Sequence, residues 1–379
     1  MNDRTAPTTD LSPDGSERLE PAIPAHLRVP RTLPLHAPAG FVPAHASYSA
    51  RFHPGVTGLT IAYFGLQTAE PAAACDAALE RILTAFARAD GPLFWDVATN
   101  IDPQGYCNRV VASYWRDQAD GQRWEERLGA DWWYRSLDPG GPIGAFREVF
   151  RPSVGDTETT FSHRCPEGYA RIADAMSGKT DTHEYWGSAR DRIPRAQIDE
   201  LAPGGQPAMV SSAPAEDTLG RLVVVTPHEN LCLLRSGQDW SDTEAAERDF
   251  YLAHVRPQLD AAMEELSCKG TLLGCYFNRY LRLDDGTNER SYSLSAWHSL
   301  AALEAWVRAD THLTIWGAGI KHYKRAGDAA RLRLYHELAV VRAEDQSFTY
   351  FSCHRRTGML AAVTPGSPSQ GSVAARRGS

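Results

Sequence analysis

Apolar residues recur along the chain with two periods, and the points where one period gives way to the other mark out the elements. Leu59 to Gln67 (LTIAYFGLQ) is an apolar run of strand length. Pro71 to Ala89, which follows, carries Ala, Leu and Ile at helical spacing. A second strand is expected over Tyr106 to Tyr114 (YCNRVVASY), then a short helix, then a strand at Ile143 to Phe150. The later chain repeats this order, with strands at Leu222 to Val225 and Asn230 to Ser236. Ser241-Asp-Thr-Glu244 has the form of a capping box, opening a helix that runs to about Cys268 and ends at Lys269-Gly270. Pro257 lies inside that span and should kink it. Strands at Leu272 to Leu283 and Glu289 to Ala296 flank a turn at Asp284 to Asn288. Arg331 to Val341 (RLRLYHELAVV) alternates: Leu332, Leu334, His336, Leu338 and Val340 share one face, and Arg333, Tyr335 and Glu337 the other.

The two halves echo each other. YWRDQADGQRW in the first and AWHSLAALEAW in the second each pass from strand to helix, with tryptophans nine residues apart at Trp115/Trp124 and Trp297/Trp306. This predicts an α+β chain of two modules, each an antiparallel sheet with helices on one face. The modules are expected at 21–202 and 203–363, separated by the Pro-, Gly- and Ser-rich stretch Pro203 to Leu219. Residues 1–20 and 364–379 are too polar to offset the entropy of ordering and are expected to be disordered.

Composition narrows the function classes. The 379 residues are 42% hydrophobic and 23% charged, as in ordinary globular proteins, with a net charge of −8. That sign argues against a nucleic-acid partner and against an anionic membrane surface. No apolar run reaches the roughly 18 residues of a membrane span, and the N-terminal stretch has no apolar core of the secretory kind. The seven cysteines are scattered without a CxxC, which points to a reduced cytoplasm and against a zinc ribbon.

Familiar catalytic motifs are missing. Gly178-Lys-Thr180 suggests a phosphate loop, but the pattern needs a glycine at position 173, where Ala173 stands. There is no GxSxG elbow and no HExxH. Histidines remain. His336 on an apolar strand face is either a hydrogen-bonded core residue or an acid–base group in a dry pocket. His312, in DTHLTIW just beyond the stripe Leu300, Leu303, Trp306 and Val307, is either a packing residue or a neutral imidazole able to bind iron. Taken alone, Ser236 is a turn residue and Arg192 a surface charge.

Several segments in order change that balance: HEYWGSARDRIP, LLRSGQDWSDTEAAER, GCYFNRYLR, THL after a tryptophan, LRLYHE and CHxxTGML. Together, from about His26 to about Leu360, they resemble the aldoxime dehydratases, haem b enzymes that turn an aldoxime into a nitrile and water. The resemblance implies His312 as the axial haem ligand and His336 as the distal acid–base residue. It implies Ser236 as the group bonding the oxime oxygen, Arg192 as a distal charge, and Glu158 (in DTETTF) as a glutamate near the pocket. It also implies duplicated ferredoxin-like modules in a dimeric α+β barrel-type fold, a homodimer, and one histidine with its pKa near the working pH.

The segment after His312, WGAGIKHYKRAGDAARLRLY, departs from the family pattern, and His322 within it is a second candidate ligand. The stretch after the first helix reads WDVATNID where the family has acidic and histidine residues. The rival readings are a haem peroxidase or chlorite-dismutase-like enzyme, and a non-catalytic haem-binding protein.

Overall fold

The computed structural model describes residues 19–70, 73–206, 208–209 and 218–363. The end segments expected to be disordered therefore lie outside the described residues, except for residues 19 and 20, as does part of the linker (207 and 210–217). After the short strand β1 (Ala50–Arg51), the first half runs β2 (Thr60–Thr68), α1 (Ala73–Phe86), β3 (Phe94–Ile101), β4 (Cys107–Trp115), α2 (Gln118–Leu128) and β5 (Ile143–Phe150). A crossing region follows, with β6 (Thr157–Phe161), β7 (Ala175–Met176), α3 (Ser188–Arg192), β8 (Ala208–Met209) and β9 (Leu222–Thr226). The second half is β10 (Leu231–Asp239), α4 (Ala245–Phe250), α5 (Arg256–Lys269), β11 (Cys275–Leu283), β12 (Arg290–Trp297), α6 (Leu300–Trp306), α7 (Asp310–Ala326) and β13 (Arg333–Val341), and β14 (Gln346–Phe351) closes the series.

Twelve strands form one antiparallel sheet in the order β6-β13-β10-β12-β11-β3-β4-β2-β5-β14-β9-β8. Within it, β5-β2-β4-β3 and β13-β10-β12-β11 follow the same order counted from the first strand of each half. The halves meet edge to edge where Arg282 and Leu283 pair with Thr99 and Ala98. One face of the sheet packs on itself: Ile61, Tyr63, Val110 and Ala112 of the first half share a cluster with Leu233, Leu294, Ala339 and Val341 of the second. Only a curled sheet can bring those residues together.

The other face carries the helices. Ala62, Phe64 and Leu66 bury against Ile82 and Phe86 of α1 and Trp124 of α2. In the second half, Cys232, Leu234, Leu338 and Val340 bury against Ala262 and Met263 of α5 and Leu300, Leu303 and Trp306 of α6. The paired tryptophans belong to this helix face: Trp115 lies 5.1 Å from Trp124, and Trp297 lies 5.5 Å from Trp306.

Three local expectations need correction. The capping box does not form, because Asp239 at the end of β10 takes both the backbone N–H of Ser241 (2.9 Å) and its hydroxyl (2.6 Å). The helix starts after Glu244 without a side-chain cap. The discontinuity at Pro257 is a π turn, Tyr251–Val255, after which Pro257 sits in the first turn of α5, where a missing N–H is harmless. Finally, the stripe of Leu300, Leu303 and Trp306 and the nearby His312 lie on two helices. α6 stops at Trp306, extended Ala309 separates the two helices, and His312 lies in the first turn of α7.

Candidate active site

The site begins with a row of paired residues across the second half of the sheet. Ser236 on β10 stands opposite His336 on β13, with Ser293 of β12 on its other side. His336 in turn stands opposite Thr160 of the edge strand β6. One step along, Leu234, Leu338 and Glu158 form the next row on the same face. This face looks toward α5, α6 and α7, so the sheet register alone assembles Ser236, His336 and Glu158 on one wall.

His336 is the one exposed residue of β13, and its neighbours Tyr335 and Glu337 are buried. Yet the surrounding protein desolvates it enough to push its pKa down to about 4, and the nearby charges of Arg192 and His312 add to that. A side chain both accessible and desolvated lines a deep recess, not the outer surface. No described residue hydrogen-bonds its ring. The expected tuning of this histidine to the working pH is therefore not met: burial holds its ring neutral.

Arg192, the last residue of α3, is buried, and its Nε donates to Glu158 Oε2 at 2.7 Å. Its Nη1 donates to the Thr182 carbonyl at 3.1 Å. The default reading of Arg192 as a solvated charge is thus excluded. Burial raises the pKa of Glu158, and the guanidinium opposes that rise.

His312 approaches from α7, with its ring edge-on to Trp306 at 4.8 Å. Burial lowers its pKa, partly offset by the Val307 backbone. Its Nδ1 is buried on the side of the Val307 backbone, and its Nε2 is neither buried nor hydrogen-bonded among the described residues. Gly319, seven residues on, returns to the same side of the helix, and a Cβ built there meets nothing within 4 Å. Trp316, one turn after His312, is half exposed and lies 5.7 Å from Trp186. An uncharged imidazole with an unpaired nitrogen, beside a flat open helix surface and an apolar core, suits a planar macrocycle ligated through its metal.

The competitor His322 is committed elsewhere. It is buried, and its Nε2 meets Glu247 Oε1 at 2.9 Å among Phe250, Tyr251 and Tyr323. Glu247 also accepts from the backbone N–H groups of Arg331 and Leu332, so this contact ties α4 and α7 to the start of β13.

Sequence reasoning assigned nothing to the reverse of this wall. Arg235 and Glu337 pair directly beside Ser236 and His336 but point into the curled core. There Arg235 bonds Asp96 (2.8 Å) and the Tyr114 hydroxyl (2.9 Å), while Glu337 accepts from Tyr114 (2.7 Å) and the Tyr169 N–H (2.6 Å). The one signal available was a charged residue on the second face of an otherwise apolar strand.

The family profile of haem-containing dehydratases matches residues 62–359. Aliphatic aldoxime dehydratase of Pseudomonas chlororaphis is 37% identical, over 92% of this chain and 100% of that protein. The enzyme of the same name from Rhodococcus erythropolis is 36% identical, over 90% and 98%. Phenylacetaldoxime dehydratase of Bacillus sp. strain OxB-1 is 28% identical, over 85% and 93%. A crystal structure of an aldoxime dehydratase in complex with butyraldoxime superposes with a TM-score of 0.85 at 35% identity, covering 91% of this chain and 97% of that one. With the profile spanning most of its length, the chain belongs to the haem-containing dehydratase family.

Proposed function

We propose that this chain is a lyase that converts an aldoxime, R–CH=N–OH, to a nitrile and water in the recess between β13 and α7. The observation that carries the reading is the accessible, neutral His336 beside Ser236, facing a helix whose His312 leaves its Nε2 accessible and without a hydrogen bond among the described residues. His312 would hold the iron of haem b. Ferrous haem would supply an electron-rich Lewis site for the oxime nitrogen, weakening the N–O bond.

The protein's own residues manage the proton. Hydroxide leaves poorly, so the oxime oxygen must be protonated as N–O breaks. A histidine resting neutral can take the proton from carbon and pass it to oxygen within one turnover, and its low pKa makes the transient imidazolium a strong donor. The sum is one proton moved from carbon to oxygen, with no net protonation of the enzyme. Ser236 orients the hydroxyl. Arg192, steadied by Glu158, stabilises the charge that develops on oxygen.

The substrate class we assign is aliphatic aldoximes, after the relatives at 36–38% identity. We also read the matching strand orders as a duplicated ferredoxin-like module, in a cytoplasmic homodimer. Among the described residues no helix is long and apolar enough to cross a membrane. The peroxidase, chlorite-dismutase-like and carrier readings find no support among these relatives.

The test is direct. Haem-loaded, dithionite-reduced protein given a short aliphatic aldoxime should yield the nitrile. His312→Ala should lose the Soret band, and His336→Ala should keep it while nitrile formation falls by at least about a hundredfold. Normal haem loading in the His312 variant would refute the ligand assignment.

A further inference from the structure

The segment that presents Arg192 cannot hold its own shape. α3 has five residues, too few for a stable helix. It starts from Gly187 at a φ of 95° and has no side-chain cap. Yet the Arg192 guanidinium is fixed in place by Glu158 and Thr182. What braces α3 is a strap from Leu27 to His45, far earlier in the chain. The Gln197 side chain bonds Val29 N–H and the Leu27 carbonyl, and the N–H groups of Thr32 and Leu33 donate to the Gln197 carbonyl. Farther along the strap, Ala44 N–H donates to Glu184 at 2.7 Å, and Phe41 packs edge-on against Tyr185 at 5.3 Å.

The tightest grip is on Asp191, the residue before Arg192. Its carboxylate is 1% exposed and accepts from His36 N–H (2.8 Å), from His36 Nδ1 (2.9 Å) and from the Tyr185 hydroxyl (2.9 Å). Arg31 donates to its backbone carbonyl at 3.1 Å. A buried carboxylate without such donors would be costly, so the strap and the helix order each other. Gly187 lets the two meet, since a Cβ there would come within 2.6 Å of the His36 Cβ.

We propose that His36 and Asp191 are positioning residues for the dehydration, setting where the Arg192 guanidinium stands against the oxime oxygen. This rests on the role assigned to Arg192 above. Neither residue touches the recess wall formed by Ser236 and His336. They act through one covalent neighbour, which is why their effect should be confined to what Arg192 does.

The test uses haem-loaded protein and a short aliphatic aldoxime, with His36→Ala, His36→Asn, His36→Gln, Arg192→Ala and the His36→Ala/Arg192→Ala double variant. Asparagine can place an N–H where the imidazole Nδ1 lies, and glutamine cannot. The His36→Ala variant should lose roughly ten- to hundredfold in kcat, the scale of a hydrogen bond to a charged group, with KM and the Soret position unchanged. The asparagine variant should recover most of that loss and the glutamine variant little. In the double variant the His36 change should cost nothing beyond Arg192→Ala. Hydrogen exchange at Ser188 to Ile193 should quicken in the haem-free His36→Ala chain. Additive losses, or equal activity of the asparagine and glutamine variants, would overturn the proposal, and the latter comparison decides even where the alanine variant fails to load haem. An impaired Arg192→Ala beside an unaffected His36→Ala removes the positioning role alone. Full activity in Arg192→Ala removes the role of Arg192 itself, and the proposal with it.

Discussion

His336 shows what alternation along a strand can and cannot tell. Its face follows from a period of two in LRLYHE, but its partners on β10 and its place beside Ser236 come from the strand pairing, which the alternation does not contain. Its titration does not follow from the strand at all. The pKa falls because protein packs around the recess and because Arg192 and His312, from two distant segments, bring charge near it. With the ring neutral through the physiological range, kcat/KM should stay flat from about pH 6 to 8 and decline only well to the acid side, as the pH approaches about 4. A rate–pH profile that instead drops about tenfold per unit between pH 6 and 8 would mean that the imidazolium is the resting active form. His312 was the harder residue to read. Its sequence neighbourhood fits packing as well as ligation, and only the accessible, unbonded Nε2 beside an open helix face separates the two.

At the scale of elements, sequence patterns located what buries a broad apolar face and missed what exists through pairing. β5 falls where expected, and β2, β4 and β13 within a residue or two. β3, with its half-buried residues, and β6, five mostly polar residues on an edge, are strands because β4 and β13 offer them partners. The largest omission was α7, because the polar stretch after His312 departs from the family pattern and was assigned no element. It is a helix of 17 residues carrying the candidate ligand at its start, with a glycine at 319 that no helix needs. Leucine there should stabilise the haem-free chain by about 0.5–1 kcal/mol through helix propensity, since no neighbour lies within 4 Å of the new Cβ. The same side chain would stand on the His312 face of α7, so haem affinity should fall. Gly319→Leu is therefore expected to raise the thermal midpoint of the haem-free protein and to weaken its haem titration. A variant with unchanged haem uptake would show that this helix face is not the cofactor's wall.

At the scale of the molecule, the two halves share a strand order but not a recess. Register makes Phe64, opposite Arg147, the counterpart of Ser236, opposite His336. In the first half that position is packed solid: Phe64 lies 5.2 Å from Trp132 and 6.4 Å from Trp124, which fill the space between sheet and helix. The tryptophan spacing suggested two like halves, but which half stays open was not legible, because it depends on how large side chains fill a volume. The curled core couples the halves crosswise through two carboxylates in matching register, Glu148 opposite Tyr63 and Glu337 opposite Arg235. Arg279 of the second half grips Glu148 at 2.6 and 2.8 Å, and Tyr114 of the first half donates to Glu337. Burial outweighs these partners at Glu337 and pushes its pKa up to about 7 from an ordinary 4.5. The folded chain therefore binds this proton more tightly than the unfolded chain does. The resulting stability is fully present below about pH 4.5 and is lost as pH rises through 7. Glu337→Gln, which stays neutral and keeps an oxygen to accept from Tyr114, should lack that component. The stability of the natural chain relative to this variant, measured by urea unfolding of the haem-free protein, should decline between pH 5 and 8. A difference that is constant across that range would mean that Glu337 is ionised in the folded core, with Arg235 its true counterion.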